Sequence, residues 1–583
     1  MGGKFADVTP ADWRALVEAE LAGAPFDKLV QITAEGLAVQ PLYTQAAADP
    51  GSPGRAPFTR GSAAEPRPFA ICMRIPPPGR RRAGELEDQL EGGADALWIA
   101  TGDDAALDAV LARRLAVVID VGAQPPAEAL VWYGSREIAA PRGVLACDPI
   151  TAAARGALDA AQLPGQLEEL ARVARRVAGE AWPELRVARV SSVAFHDAGA
   201  DAADELALVL ASGVAVLGAM VAGGLDALAA ASQLAVQVAV GRDTFGELCK
   251  LRALRRCWHK IFVAMGAALV PPPPVHAICS SRTQAQRDPW VNMLRVTTEV
   301  FAAALGGAEL ITPIAFDEAL GPASSHGQRV ARNTALVLRE ESHLGRVLDA
   351  GGGSYYLESR TDALAREAWS RFQAIERDGG IVVALGSGAL RRRLDAAWRQ
   401  RQDAIARRKE PVLGVSEFAN LGERLPSAVP PPSPAVAPPV LAAHRDGEAF
   451  EALRARVAAG AVPDVALIAL GPPAEHRGRT GYATALFATA GLAVREVAEP
   501  VAADIACICG SDERYAAEAV GCARALRAVG CRRIVVAGRP GPLEPALRAA
   551  GVDSFLFVGC DVVAALADLV ELVAAPVALG GAS

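Results

Sequence analysis

Residues Arg329–Glu358 read RVARNTALVLREESHLGRVLDAGGGSYYLE, and the rest of the chain is organised around them. Asn333-Thr334 precede an apolar series at Ala335, Leu336 and Leu338, and Arg339-Glu340-Glu341 end it with charge, as a core-facing helix would. Asp349-Ala350-Gly351-Gly352-Gly353-Ser354 then breaks the chain, because consecutive glycines leave the backbone too many options for a helix. Tyr355-Tyr356-Leu357 is expected to resume as a strand. The glycines are not a phosphate loop, since no Gly-Lys-Ser/Thr follows them. By physics alone the stretch is helix, turn and strand in an α/β protein.

The chain around it has 583 residues, enough for two or more domains, and is 51% hydrophobic, enough for a sizeable core. A net charge of -7 argues against a nucleic-acid partner, which needs a basic face for the phosphates. The ten cysteines show no CxxC pairing; Cys507 and Cys509 share one face of an apolar run. Buried reduced thiols and no metal site are expected, which fits a reducing cytosol. MGGKFADVTPADW carries no basic-then-apolar signal pattern, so a cytoplasmic location is expected. Leu206–Leu225 carries no charge over a length that could span a bilayer. It is rich in Ala, Gly and Ser and lacks basic flanks and aromatic anchors, so a buried helix followed by a buried strand is expected, and no membrane.

From 68 to about 360, short apolar runs alternate with alanine-rich helical segments. The candidate strands are FAICMRI, ALWIA, LAVVIDVG, GVLACDP, RVARVSSVAF, GVAVLGAM, KIFVAMGAALV and AELITPIAF. Such alternation means parallel α/β, either a closed (β/α)8 TIM barrel or an open doubly wound sheet. Residues 361–410 read as helices, and PSAVPPPSPAVAPPV (426–440) as an extended proline-rich spacer. Beyond it DVALIALG, LAVREV, DIACICG, RRIVVAG and SFLFVG predict a five-stranded, flavodoxin-like doubly wound domain.

The wording of the opening stretch is similar to one family. ARNT-x-L-x-L-x-EE followed by GRV-x-D-x-x-GGSYY-x-E resembles the acyl-CoA mutases that use adenosylcobalamin, methylmalonyl-CoA mutase in particular. GRDTFGELCKLRALRRCWHKI (241–261) and WVNMLRVTTEVFAAALGGAELITPIAFDEAL (290–320) carry the resemblance further and select the barrel over the open sheet. It implies four regions. These are a subunit-wrapping arm (1–67, with Thr9-Pro10 starting a helix and Trp13, Leu16, Val17 and Leu21 on one face), a mutase-type barrel (68–410), a Pro-rich linker (411–444) and a cobalamin-binding-type domain (445–583).

The catalytic set that the resemblance implies is largely missing. Catalytic members hold cobalt through the histidine of Asp-x-His-x-x-Gly, oriented by the aspartate. Here GPPAEHRGRTGYATALFATAGL places His476 at the ligand position, Ala474 at the aspartate and Arg479 at the glycine. The family's Ser-x-Leu reads Cys509-Gly510-Ser511, and its Gly-Gly reads Gly538-Arg539, where an arginine would fill the nucleotide slot. His476 alone reads as a surface or capping loop histidine, at most a vestigial ligand. In the barrel, Met73 and Arg74 stand near the family's Ile-Arg-Gln-Tyr, without its tyrosine. AFHDAGA stands for Gly-Tyr-His-Met-Gln-Glu-Ala-Gly-Ala, putting Ala194 at the histidine, or His196 if a gap is allowed. Arg155 lies near, not on, the substrate-binding arginine, and Asp317-Glu318 at a strand end are expected to cap a helix.

Fold signature without catalytic residues matches the small subunits of heterodimeric methylmalonyl-CoA mutase. The resemblance then implies a large catalytic subunit as partner, which holds the adenosylcobalamin and interconverts methylmalonyl-CoA and succinyl-CoA. An active mutase for another acyl-CoA, requiring an open barrel axis, and a stand-alone binding protein are the alternatives.

Overall fold

The structure is a computed structural model that describes residues 8–46, 49–136, 142–180, 182–426, 440–460 and 462–574. Most of the spacer expected at 426–440 lies outside the described residues.

Eight parallel strands close into a barrel. They are β1 (Ala70–Arg74), β2 (Ala96–Ala100), β3 (Ala116–Asp120), β4 (Arg142–Cys147), β5 (Glu184–Ser191), β6 (Leu234–Val240), β7 (Val275–Cys279) and β8 (Leu310–Thr312). Each pairs with its neighbours in sequence, and β8 closes the ring by pairing with both β7 and β1, Leu310 opposing His276 and Ala70. Side chains alternate across each strand. Ile71, Met73, Leu97 and Ile99 therefore enter the large core against the helices, while Cys72, Ala96, Trp98 and Val118 form a separate cluster inside the ring.

Six of the eight expected barrel strands are found, and two are corrected. GVAVLGAM lies inside helix α1 (Ala202–Ala222), and KIFVAMGAALV is the end of helix α2 (Thr244–Ala264) followed by a turn. The sixth and seventh strands are instead LAVQVAV and VHAIC. The uncharged run at Leu206 thus falls in one helix, with no strand inside it. By length and composition α1 could cross a membrane, but 67% of its apolar window is buried inside the protein, partly against helix α3 (Tyr355–Arg377).

Tyr355-Tyr356-Leu357 is the first turn of α3, not a strand: the Ser354 hydroxyl accepts from the Leu357 amide and caps the helix. The opening stretch is otherwise helix Ser325–Leu336, a wider π turn at Val337–Glu341, and the glycine turn. Ion pairs hold that turn in place. Arg252 of α2, fully buried, meets Asp349 at 3.0 Å and Glu358 at 2.8 Å, and Arg60 meets Asp349 at 2.9 Å. A Cβ at Gly352 would stand 2.6 Å from the Asp349 carboxylate, so the turn needs glycine for close approach.

Residues 361–410 are helical as expected, ending in Ala389–Ala406. The second domain has all five expected strands: β9 (Val465–Ala469), β10 (Val494–Val497), β11 (Ile505–Cys509), β12 (Arg533–Ala537) and β13 (Ser554–Leu556). Their order, β10-β9-β11-β12-β13, all parallel, is the flavodoxin-like one. Nine of the ten cysteines are buried and none is paired, with Cys507 and Cys509 on one face of β11. Among the described residues no cluster of His, Cys, Asp and Glu could hold a metal. The N-terminal helix Pro10–Glu20 buries none of its residues against its own chain, and its Leu16 is exposed.

Candidate functional site

In a closed α/β barrel the chemistry belongs at the mouth formed by the carboxyl ends of the strands. Here the ring interior below that mouth is filled by side chains meeting from opposite strands. The Trp98 ring of β2 meets the His276 ring of β7 edge-on at 5.8 Å. The Arg189 guanidinium of β5 lies 5.8 Å from the Trp98 ring, and Arg74 of β1 covers it at 5.3 Å. Arg189 also pairs with Asp120 at 3.4 Å and Asp148 at 3.6 Å, each from another part of the ring. His276 Nε2 bonds Thr312 Oγ1 at 2.8 Å, and the Ser191 hydroxyl donates to Gln237 Oε1 at 2.9 Å. Burial, reinforced by Arg189, pushes His276 down to about 3, so it is neutral near pH 7. Strands β1, β2, β5, β7 and β8 all contribute, so this layer crosses the axis. Trp98, Arg189 and His276 escaped the sequence reading. The legible signal was a charged residue, Arg189, in the middle of an apolar strand, where a buried charge demands partners across the ring.

The sequence-selected barrel residues do not converge on one centre. Met73 points outward into the core, and Arg74 is the inward neighbour described above. Ala194 is buried, and His196 follows it on the short helix Val193–Asp197. His196 faces α1 and α2: Nδ1 bonds Glu205 at 2.7 Å and Nε2 bonds Ser280 at 2.6 Å. Lys250, wholly buried, reaches Glu205 at 3.2 Å and Glu247 at 2.6 Å. Burial lowers His196 to about 4, with Arg282 adding to the effect. Burial alone would raise Glu205, but Lys250 and His196 hold it below the ordinary carboxylate range. Both ring nitrogens of His196 are engaged within the protein. Arg155 is exposed at the rim, in electrostatic reach of Asp197, whose burial lifts its carboxyl to about 6. Asp317 accepts from the Ser324 amide, but the cap of helix Ser325–Leu336 is the Ser324 hydroxyl, which accepts from the Gly327 amide, and Glu318 lies 3.9 Å from Arg74.

In an open sheet of this order, ligands lie beyond the carboxyl ends of the strands at the β9/β11 switch point. His476 is neither in a loop nor on the surface: it lies in helix α4 (Pro473–Thr489), is buried, and its Nδ1 has no hydrogen-bond partner. Ala474, two residues earlier, offers no carboxylate to orient it. Arg479 crosses the switch point, donating to the Gly510 carbonyl at 2.6 Å, pairing with Asp512 and lying 4.6 Å from the Tyr515 ring centre. Tyr515 donates to the Ala537 carbonyl at 2.6 Å and accepts from the Gly510 amide at 3.2 Å. A Cβ at Gly538 would touch both Arg479 and Tyr515 at 3.4 Å. The slot is therefore filled by Arg479 and Tyr515; Arg539 turns aside onto the Phe557 ring.

A parallel barrel followed by a flavodoxin-like domain is the two-domain build of the acyl-CoA mutases. Residues 138–446 match the family Methylmalonyl-CoA mutase. The chain is 38% identical to the methylmalonyl-CoA mutase small subunit of Streptomyces virginiae, covering 98% of both chains. It is 37% identical to the probable methylmalonyl-CoA mutase small subunit of Mycobacterium tuberculosis, covering 94% of both. It is 32% identical to the small subunit of Propionibacterium freudenreichii subsp. shermanii, over 98% of this chain and 96% of that one. The chain belongs to the methylmalonyl-CoA mutase family, and these three relatives all carry the small-subunit name.

Proposed function

We propose that this chain is the non-catalytic small subunit of a heterodimeric, adenosylcobalamin-dependent methylmalonyl-CoA mutase, an isomerase whose large subunit carries the cofactor and the reaction. The Trp98–Arg189–His276 layer carries the reading: an acyl-CoA arm threaded along the axis would have to displace a buried, hydrogen-bonded and charge-paired layer. The second domain supports it, because Arg479 and Tyr515 occupy the space a nucleotide tail needs and His476 lacks its orienting carboxylate. The residues present do not fit a corrinoid, and no chemical step is assigned to them. The relatives' names imply a large-subunit partner. The unburied N-terminal helix offers it a surface.

One observation favours a second reading, residual cobalt ligation: the Nδ1 of His476 is buried without a partner. An anaerobic titration of the purified chain with adenosylcobalamin, followed in the visible spectrum, separates the two. No saturable change at micromolar protein is expected. Saturable binding with displacement of the cofactor's lower base, abolished by His476→Ala, overturns the proposal.

A further inference from the structure

We propose that residues 441–446 form a strap that pins the second domain to the barrel mouth without help from any corrinoid, and that Asp446 is its pin. The segment follows the rim by backbone hydrogen bonds. The Leu441 amide donates to the Ala154 carbonyl beyond β4, and the His444 amide to Asp197 beyond β5, both at 2.9 Å. The Asp446 amide donates to Arg282 beyond β7 at 2.8 Å. Between them the His444 ring stacks on Trp398 of helix Ala389–Ala406, with centroids 4.4 Å apart and planes 10° from parallel.

The strap ends in a charge cluster whose central carboxylate is shut off from water. Asp446 is 1% exposed. Its carboxylate meets Arg401 of the same helix at 2.8 Å, Arg242 beyond β6 at 3.5 Å and Arg282 at 3.9 Å. Glu410 shares Arg401 at 3.6 Å and Arg242 at 4.0 Å, so three guanidiniums face two carboxylates. Arg282 in turn donates to the carbonyls of His196 and Ala200, which brings the β5 loop into the same cluster. Asp446 stands immediately before helix Glu448–Ala459 of the second domain. That helix continues the interface: Glu451 accepts from the Gln286 amide at 2.6 Å, and Phe450 and Leu453 share a core with Ala285 of the barrel loop. Removing the Asp446 charge leaves three buried or half-buried arginines against one partly exposed carboxylate, which costs far more than deleting a surface pair. Every contact is within the polypeptide, so the domains are held in one arrangement by the chain itself. The inference stands whether or not the chain is catalytic.

Hydrogen exchange by mass spectrometry on the full-length chain tests it. The Leu441, His444 and Asp446 amides are expected to exchange slowly, at rates unchanged by added adenosylcobalamin. Asp446→Asn is expected to speed them by about a hundredfold while β11 and the barrel strands stay protected. Arg242→Gln, which loses one of the three arginines, is expected to speed them less and serves if Asp446→Asn does not fold. Solvent-like exchange at these amides in the unsubstituted chain overturns the proposal. So does protection that appears only with adenosylcobalamin, or that survives both substitutions.

Discussion

Trp98→Ala tests whether the barrel interior is a packed plug. Trp98 is 8% exposed and is touched by residues of three strands, β1, β5 and β7. Burying roughly 200 Å² of indole at about 25 cal/mol per Å² gives about 5 kcal/mol. Loss of two arginine contacts to the ring adds to this. Water entering the polar cavity beside Ser191, Gln237 and Thr312 would recover part of it. A net loss of about 3–4 kcal/mol is expected, within the range for large aromatic-to-alanine changes in a core. The assay is urea unfolding followed by far-ultraviolet circular dichroism, fitted with separate transitions for the two domains because a single two-state fit is not assured. The barrel transition should move to lower urea with an unchanged slope, and the second domain's should not move. A loss below about 1 kcal/mol refutes the plug, because it would mean that the indole stands in open, solvated space.

Lys250→Met should be among the most damaging single changes, at least about 3–5 kcal/mol and enough to cost the barrel its cooperative melt, because it strands Glu205 and Glu247 in the interior; a cooperative melt within a few degrees of the parent would refute that. The pH dependence follows from His276. Its folded pKa, about 3, lies below the ordinary value of 6.5, so between those values the unfolded chain binds the extra proton and stability falls as pH falls. His276→Gln should therefore flatten the acid limb by up to about 1.4 kcal/mol per pH unit over that window, and parallel limbs would count against a buried neutral His276. Tyr515→Phe should cost about 1–3 kcal/mol in the second-domain transition, by orphaning the Ala537 carbonyl and the Gly510 amide; an unshifted transition would mean water already serves those groups.

Legibility in the sequence tracked which face of a strand carried the signal. Most strands of the second domain stood out because they are buried between helices and read as unbroken apolar runs, such as Ile505–Cys509; the half-exposed edge strand Val494–Val497 was found despite Arg495 and Glu496. In the barrel, β6 and β7 were missed because their inward positions hold Gln237 and His276, which interrupt the run. Of the apolar runs chosen in their place, Gly213–Met220 lies within a helix that buries a broad face and Lys260–Val270 is a helix end and the turn after it. Single-sequence periodicity does not separate the two for short segments. Tyr355-Tyr356 misled through strand propensity, where the Ser354 cap and the following amphipathic run decide for helix. That Ala474 and Arg479 stand around His476, where Asp-x-His-x-x-Gly would need an aspartate and a glycine, was legible. What fills the slot was not: Tyr515 enters from 36 positions away (515 minus 479), a contact that only the fold creates.

The same alternation explains how the chain keeps a mutase-type barrel around a blocked axis. Outward residues of β6, Val236, Val238 and Val240, join the core that packs strands on helices, and the inward ones, Ala235, Gln237 and Ala239, do not. His196, Glu205 and Lys250 form a separate network: they tie the helix Val193–Asp197 to α1, α2 and Ser280 at the end of β7. Inward positions are therefore free to exchange a passage for a plug without disturbing the layer that closes the ring. Changing the charge network of His196, Glu205 and Lys250 should unfold the barrel, whereas changing the plug should loosen the interior and leave the topology intact. Lys250→Met and Trp98→Ala separate these outcomes: the first should abolish the soluble chain or its cooperative melt, and the second should preserve the melt at lower stability. If Trp98→Ala also destroyed cooperative unfolding, the plug would be part of what closes the barrel, and the separation of the two faces would fail.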